Sequence, residues 1–334
     1  MSLTPEQALD RAAEAGIHRL RIPTPFAVGR VNCYLIEDDP LTLVDTGPNS
    51  GKALDELGAQ LAAHGHSLED IELVILTHQH IDHLGLVEIV VDHSGAEVAA
   101  LGLAAERLAN FGEDAEREDE FAVELMLRNG IPAEVAFALQ SVSRSFRGWG
   151  ARAEVTRPLA DGEVLDFRDR KLEALHRPGH SPSDTVFWDE ERRILLAADH
   201  LIADVSSNPL ITRPLDGSTE RVQALVTYIE SLHETRQMPA EVVLSGHGDA
   251  IVDHAALIDS RFAMHERRKE KIYRLIEEQP RTGYGIAQAI WGNVAVTQAF
   301  LTLSEVIGHA DLLVNEGRVR EADDGEVIRY EATR

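Results

Sequence analysis

The sequence has very little cysteine and no long hydrophobic run. Its one cysteine among 334 residues, Cys33, excludes an internal disulfide, and the apolar segment around it predicts a buried structural thiol. No stretch of about 18 apolar residues occurs, so no membrane-spanning helix is expected. Residues 1–7 lack the basic and then apolar pattern of a secretory signal peptide. These absences predict a soluble cytoplasmic protein, and the length allows one large domain and a small one.

Basic residues are also scarce. Lysine and arginine number 32 against 57 aspartates and glutamates, which gives a formal net charge of −25. Residues 255–334 hold 11 basic and 13 acidic groups, so nearly all of the excess negative charge lies in residues 1–254. A surface this acidic repels nucleic-acid phosphate and membrane headgroups. The composition therefore disfavours nucleic acid, membrane and polyanionic partners, and it favours a small-molecule substrate.

The most informative segment is Thr-His-Gln-His-Ile-Asp-His-Leu-Gly at residues 77–85. It places four candidate metal ligands within six positions: His78, His80, Asp82 and His83. Residues 71–76, which precede it, are apolar and β-branched and predict a buried strand. The ligands therefore follow a strand end, where active-site residues of α/β folds are often found. Neutral imidazoles with a carboxylate suit zinc and other borderline divalent metals.

Further candidate ligands stand at the ends of later predicted strands. Each follows an apolar run and lies in or beside a loop marked by glycine or proline: His180, Asp199 and His247. Strands can hold side chains on such loops rigidly. The full set of five histidines and two aspartates suits two metal ions that share one carboxylate. The neighbouring His176 and His200 are interpreted as supporting or structural residues, because strand alternation turns His200 away from the face used by Asp199.

Hydrophobic periodicity divides the chain further. Residues 103–150 are rich in alanine, glutamate and arginine and predict a helical insertion into a domain that spans residues 1–254. The end of this insertion offers candidates for substrate contact by a lid: Arg144, Arg147 and Trp149. Residues 255–334 predict three helices followed by two alternating strands around a turn, which is a winged-helix pattern. The helices are predicted at Ala255–Glu278, Thr282–Trp291 and Ala295–Asn315.

The ligand pattern resembles that of the metallo-β-lactamase superfamily. The His-x-His-x-Asp-His motif of that family matches the segment that begins at His78, and its later His, Asp and His match the later candidates in order. Its Val-Asp-Thr-Gly element matches residues 44–47. The resemblance covers residues 18–254 and implies an α/β fold, a four-layer αββα sandwich that here carries the helical insertion. Residues 255–334, the tail, are expected to form a small C-terminal winged-helix-like domain. This domain resembles the C-terminal domain of the branch named after β-lactamase-like protein 2.

The resemblance also implies a role for each ligand. Two divalent cations are implied, Zn²⁺ by preference with Fe or Mn as alternatives, and each is held by three ligands of its own. The ligands of the first are His78, His80 and His180. Those of the second are Asp82, His83 and His247. Asp199 would bridge both cations together with a hydroxide, and Asp45 would support the site without binding metal.

This centre predicts hydrolytic chemistry. Two cations lower the pKa of a bridging water, so hydroxide near neutral pH can attack an acyl carbon or a phosphorus. Asp82 is expected to orient this nucleophile or to take its proton. Aspartate rather than cysteine at position 199 is similar to the glyoxalase II and ribonuclease Z branches and disfavours β-lactam hydrolysis. We therefore expect a binuclear hydrolase of a small-molecule ester or thioester, like hydroxyacylglutathione hydrolase.

Two other functions remain open at this point. A metal-dependent nuclease or phosphodiesterase, of the β-lactamase-like protein 2 or ribonuclease Z type, would use the tail and the cations of residues 261–274. These cations alternate with glutamates, which indicates a solvated helix face, and a basic stripe with stacking aromatics is lacking. The second alternative is an iron-dependent redox enzyme on the same fold, in which the tail would serve in a homodimer.

Overall fold

Two mixed β-sheets form the centre of the protein, whose computed structural model describes residues 3–218 and 220–333. The strands of the first sheet are β1 Ile17–Ile22, β2 Val31–Ile36, β3 Thr42–Val44, β4 Leu73–Ile75, β5 Glu97–Leu101 and β6 Arg157–Leu159. They lie side by side in chain order. β1 to β3 are antiparallel, whereas β3 to β6 run parallel. Parallel strands bring their carboxyl ends to one edge, so the residues that follow β3 and β4 lie near each other.

The second sheet supplies the later strand ends. Its strands are β7 Glu163–Asp166, β8 Lys171–His176, β9 Thr185–Asp189, β10 Ile194–Ala198 and β11 Val242–Ser245. Their order is β11-β10-β9-β8-β7, and only the β10–β11 pair is parallel among them. The strands predicted before His180, Asp199 and His247 are thereby confirmed as β8, β10 and β11. The pairing of β10 with β11 shifts register after Leu196, just before the chain reaches Asp199.

Helices flank both sheets and form the remaining parts of the chain. Those in the described residues are α1 Pro5–Glu14, α2 Gly51–Ala63, α3 Ile81–Leu84, α4 Val87–Ser94, α5 Ala105–Ala109, α6 Phe111–Arg128, α7 Ala133–Phe146, α8 Ala224–Arg236, α9 His254–Glu278, α10 Gly283–Trp291, α11 Val294–Thr297 and α12 Ala299–Asn315. The Ser50 hydroxyl caps α2 by accepting the Ala53 N–H at 3.1 Å. Such a cap stabilises a helix by about 1 kcal/mol, because it satisfies an unpaired backbone donor.

Three apolar cores stack these elements into four layers. Leu57 of α2 belongs to the core between the outer helices and the first sheet. Ile75 and Leu196 belong to the core between the two sheets. Leu195, the neighbour of Leu196 on β10, faces the other way and packs with Leu232 of α8. Because both faces of each sheet are covered, inner strands such as β4 and β10 are apolar throughout. The expected αββα sandwich is confirmed.

The helical segment predicted at residues 103–150 is confirmed as α5, α6 and α7. A separate apolar core joins it to the last helix: Met126 of α6 packs with Ile211, and with Leu303 and Ile307 of α12. The insertion and the C-terminal residues therefore pack on each other rather than only on the sandwich.

The C-terminal residues contain the predicted long helix, α9, and a small sheet. This sheet consists of β12 Arg281–Thr282, β13 Val319–Asp323 and β14 Ile328–Ala332, in the order β12-β14-β13. The two-residue β12 is too short to leave a sequence pattern. The helix predicted at Ala295–Asn315 is interrupted, because Gln298 has φ −125° and ψ 41°, which ends α11 before α12 begins. A winged-helix domain with a boundary at residue 254 stays a prediction. Among the described residues no helix has the length and apolarity that a bilayer crossing needs.

Candidate metal centre

Four of the candidate ligands come from the segment that follows β4. This strand is fully buried, and its parallel register with β3 and β5 fixes where the chain leaves the sheet. The backbone is extended at His80, and α3 begins with the next residue. His78 and His80 therefore lie two positions apart before the helix, whereas Asp82 and His83 project from its first turn. The change from extended to helical backbone divides the motif into two pairs of ligands.

The first cluster consists of three imidazoles. His80 Nδ1 lies 3.1 Å from His78 Nε2 and 2.9 Å from His180 Nε2. The His180 Nδ1–H donates to the carbonyl of Asn208 at 3.2 Å, so its Nε2 faces the cluster with a lone pair. Burial and the neighbouring imidazoles hold the pKa of His78 well below its usual range and lower that of His80 to about 3. The three imidazoles thus direct nitrogen atoms to one point.

The second cluster combines two imidazoles with a carboxylate. The ligand atoms of Asp82, His83 and His247 lie within 4.8 Å of one another. Asp82 Oδ2 is 3.3 Å from His247 Nε2. The His247 Nδ1–H donates to the carbonyl of Arg30 at 2.9 Å, which directs Nε2 into the cluster. Both histidines are buried.

Asp199 lies between the two clusters. Its Oδ1 is 3.4 Å from His83 Nε2, and its Oδ2 is 3.6 Å from His180 Nε2 and 3.5 Å from His247 Nε2. The close approach requires glycine at position 246, because a Cβ there would lie 2.2 Å from Asp199 Oδ1. The end of β10 and the start of the loop after β11 thus pack together around this carboxylate.

Asp45 supports the second cluster from behind. It follows β3 with a positive φ of 57° and is buried. Its Oδ1 accepts the Thr77 N–H at 2.9 Å, and its Oδ2 accepts the Thr77 hydroxyl at 2.8 Å. The His83 Nδ1–H donates to the same Oδ2 at 2.7 Å, so the free Nε2 of His83 points towards Asp199. Asp45 therefore orients a candidate ligand without facing either cluster.

Charge at the second cluster favours a cation. Burial opposes protonation of His83, but Asp199 and Asp45 outweigh it and hold the His83 pKa well above its usual range. Burial is again outweighed at His247, where Asp199 and Asp82 raise the pKa to about 9. Conversely, His83 and His247 hold the pKa of Asp199 well below its usual range in spite of burial. The carboxylates therefore favour positive charge at this position.

Two buried atoms at the centre have no hydrogen-bond partner in the part of the chain that the structure describes. They are His83 Nε2 and Asp199 Oδ1. An unpaired buried polar group costs about 1–3 kcal/mol. A cation between these two atoms would satisfy both, so the nitrogen and oxygen donors present fit a divalent metal.

Comparison with known proteins gives the family. The family model described as the Metallo-beta-lactamase superfamily matches residues 27–247, a range that contains all of the candidate ligands. The chain belongs to the metallo-β-lactamase superfamily. Proteins of this superfamily generally bind divalent metals, and the two clusters are groups that could hold them.

Individual relatives agree with this assignment. The chain is 33% identical over 311 residues to the probable metallo-hydrolase YqjP of Bacillus subtilis, which covers 93% of this chain and 96% of that protein. It is 29% identical over 134 residues to the human acyl-coenzyme A thioesterase MBLAC2, which covers 38% of this chain and 40% of that protein. The crystal structure of the metallo-beta-lactamase family protein TTHA1429 from Thermus thermophilus superposes with a TM-score of 0.79 at 27% identity, over 95% of this chain and 99% of that one. The chain is therefore a metallo-hydrolase of this superfamily.

The substrate-contact candidates of the insertion have partners within the insertion. Arg144 and Arg147 both donate to Glu116, and Arg147 also donates to Asp119. The Trp149 carbonyl accepts the Asn49 N–H at 2.7 Å, and the turn Arg147–Trp149 contacts α3, the helix that carries Asp82 and His83. The structure thus places the backbone of Trp149 beside α3 and ties the two arginines to acidic residues. A substrate contact by any of the three stays a prediction.

Several supporting residues were not predicted from the sequence. The carbonyls of Asn208 and Arg30 orient ligand histidines, but a carbonyl is present at every position and gives no signal. Gln79, between two predicted ligands, accepts the hydroxyls of Ser181 and Ser183 and so joins the β4 loop to the loop of His180. Its place inside the motif was a usable signal. His200 contacts Thr235 of α8 at 2.8 Å, which agrees with its predicted structural role.

Proposed function

We propose that this chain is a binuclear metal-dependent hydrolase of a small-molecule ester or thioester. One observation carries the proposal: the carboxylate of Asp199 lies between the two clusters. Its Oδ2 is 3.6 Å from His180 Nε2 of the first cluster and 3.5 Å from His247 Nε2 of the second, and its Oδ1 is 3.4 Å from His83 Nε2. A carboxylate so placed suits a pair of cations about 3.5–4 Å apart, as in two-metal hydrolytic sites. We propose Zn²⁺, because imidazole and carboxylate ligands suit it, with Fe or Mn as alternatives.

We assign the ligands by cluster. The first cation takes His78, His80 and His180, the second takes Asp82, His83 and His247, and Asp199 contacts both. When bound, the two cations would lower the pKa of a water to near neutral and stabilise negative charge on an attacked carbonyl oxygen. Asp45 and the carbonyls of Asn208 and Arg30 keep the imidazoles of His83, His180 and His247, in that order, in the tautomer that ligation needs.

Asp82 is the residue to which we assign proton transfer. Its side chain is 12% exposed, and Oδ2 lies 3.3 Å from His247 Nε2. Burial raises its pKa, but His247 and His83 outweigh burial and keep the pKa below the usual value, so Asp82 is ionised at neutral pH. Its other oxygen, Oδ1, would orient an attacking water and accept the proton that the water releases.

An acyl substrate agrees best with the charge and with the relatives. The net charge of −25 disfavours a polyanion, and the insertion arginines Arg144 and Arg147 already donate to carboxylates. Aspartate rather than cysteine at position 199 disfavours a β-lactam. The relative MBLAC2 is described as an acyl-coenzyme A thioesterase, which supports an acyl thioester as the substrate class.

We propose that the chain belongs to the glyoxalase II-like or β-lactamase-like protein 2-like branch of the superfamily, with residues 255–334 as a winged-helix-like domain. A cytoplasmic location and a homodimer stay predictions.

A substrate panel tests this function. Zinc-loaded protein would be assayed on acyl thioesters, lactones, bis-(p-nitrophenyl) phosphate and single-stranded RNA. We expect turnover of an acyl substrate that falls about 10²–10⁴-fold in Asp82→Ala, the range that general acid–base catalysis contributes. Asp92→Ala is the matched control, because Asp92 is exposed on α4. Turnover of RNA alone would instead indicate a nuclease. Iron in the purified protein with oxygen consumption would indicate the redox alternative.

A further inference from the structure

A second group of histidines surrounds one carboxylate at the edge of the first sheet. We call it the Glu37 cluster, and it consists of His18, Glu37, His64 and His66. His18 lies in β1, and Glu37 directly follows β2. His18 pairs with Leu35, so Glu37, two positions further on, is its diagonal neighbour on the same face. That face is covered by α2, and His64 is the residue at which α2 ends.

The end of α2 brings two imidazoles to this carboxylate. The His64 N–H and the His66 N–H both donate to the carbonyl of Leu61 at 3.0 Å. Gly65 between them has φ 82°, a conformation that glycine adopts at little cost, so the chain turns back at the helix end. The last carbonyls of a helix carry partial negative charge, which favours a cation at this position.

The ligand atoms of the Glu37 cluster are close together. His18 Nε2 lies 2.9 Å from Glu37 Oε2, and His66 Nε2 lies 3.3 Å from Glu37 Oε1. The ring of His64 lies 4.2 Å from that of His18, measured between centroids, and is tilted by 37°. One ligand atom from each of His18, Glu37 and His64 can be chosen within 4.8 Å of the others. Such spacing suits the imidazole and carboxylate ligands of one transition metal.

The carboxylate of Glu37 lacks a permanent cation. Within residues 3–218 and 220–333, its ion-pair partners are His18 and His66, and neither lysine nor arginine pairs with it. The nearby Arg170 is engaged by Asp38 at 2.9 Å. The side chains of Glu37, His18 and His66 are 37%, 15% and 28% exposed, so an ion can enter from solvent.

We propose that the Glu37 cluster binds one further divalent transition metal of the zinc class, through His18, Glu37 and His64, with His66 as fourth ligand. The metal joins the end of α2 to β1 and to the residue after β2. It lies outside the catalytic centre and takes no part in hydrolysis, so the inference goes beyond the proposed function and does not rest on it.

Metal stoichiometry tests the proposal. Protein freed of metal by a chelator would be dialysed against Zn²⁺, and bound zinc would be counted by elemental analysis in three proteins. They are the wild type, His18→Gln/His64→Gln, and His93→Gln. His93 is the matched control, because it is a half-exposed histidine that pairs with a single carboxylate, Glu69 at 3.5 Å. We expect the double variant to bind one equivalent fewer than the wild type, and the control to match the wild type.

A thermal measurement adds a readout that does not depend on counting the catalytic ions. Zinc should raise the unfolding temperature of the wild type more than that of the double variant, because a ligand that binds only the folded state stabilises it. Circular dichroism checks that the variants fold. Equal zinc content and equal thermal shifts in the wild type and the double variant would overturn the proposal, whatever the outcome of the substrate panel.

Discussion

The buried histidines of the candidate metal centre and those at the contact between α9 and α12 have different surroundings. At the centre, His83 leaves Nε2 without a hydrogen-bond partner in the described residues, 3.4 Å from Asp199 Oδ1. Between the helices, the His309 Nδ1–H donates to the carbonyl of Glu305 at 2.7 Å, and His309 Nε2 lies 3.3 Å from His265 Nδ1. In the helix pair the two rings contact each other, although His265 Nε2 also lacks a partner in the described residues. The centre instead gathers nitrogen atoms of several rings and the carboxylate of Asp199 at a common point.

The histidine pKa values of the helix pair and of the second cluster of the centre shift in opposite directions. Burial, together with nearby cations, lowers the pKa of both His265 and His309 to about 4. Carboxylates raise the pKa of His247 to about 9. Glu305 does approach the helix pair, but its carboxylate is held by Arg268 at 3.2 Å. Carboxylates without a basic partner, rather than the number of histidines, therefore distinguish a cation site from a packed histidine pair.

The largest expected effect comes from removing the central carboxylate. Asp199→Ala should reduce hydrolysis by at least about 10³-fold, because metal stabilisation of developing charge is worth several kcal/mol. It should also reduce the zinc content of the protein. Glu305→Ala, in the helix pair, is the control and should keep both. Assay and elemental analysis of the two variants check this, and full zinc content in Asp199→Ala would contradict the comparison.

A smaller effect is expected behind the centre. Asp45→Asn keeps the shape of the side chain but weakens the hold on His83, so zinc affinity should fall about 10–100-fold. Competition with a chromophoric chelator measures the affinity. Thr77→Val removes the hydroxyl that donates to Asp45 and that lies 3.0 Å from His78 Nδ1. It keeps the carboxylate that accepts from His83, so zinc affinity should fall less than in Asp45→Asn. An unchanged affinity in Asp45→Asn would show that the ligand does not need this support.

The smallest effect concerns the helix pair and pH. A histidine with a folded-state pKa of about 4 stays neutral while the unfolded chain, near 6.5, takes up a proton, so stability falls as pH drops from 6.5 to 4. His265→Gln/His309→Gln should reduce the slope of the free energy of unfolding against pH by the equivalent of roughly two protons. It should not abolish the slope, because His80 and His200, each with a pKa of about 3, titrate in the same direction. Urea unfolding of metal-free protein across this range measures it, and an unchanged slope would refute the account.

The sequence predicted the residues of the centre because each ligand stands next to a strong local pattern. β4 precedes His78, and β10 precedes Asp199, so the apolar strands located the strand ends. The role of the Asn208 carbonyl could not be predicted, because residues 201–218 and 220–223 are irregular and show no periodicity. The pairing of His265 with His309 could not be predicted from the sequence either, because it depends on how α9 and α12 pack. The two histidines are 44 residues apart in the chain.

Charge patterns were less informative than strand patterns. A substrate contact by Arg144 and Arg147 stays a prediction, but their pairing with Glu116 was not predicted. Glu116 lies 28 and 31 residues earlier in the chain and pairs with both only after α6 and α7 pack together. The break at Gln298 between α11 and α12 also depends on backbone angles that the residue types in this segment do not predict. Partners of a charged side chain are set by tertiary packing, which periodicity does not report.

Anomalous diffraction at the zinc edge from crystals of the zinc-loaded protein tests the central claim most directly. Two peaks are expected at the centre, one among His78, His80 and His180 and the other among Asp82, His83 and His247. The carboxylate of Asp199 should contact both. A single peak, or two peaks with Asp199 turned away from one of them, would contradict a binuclear centre joined by this residue.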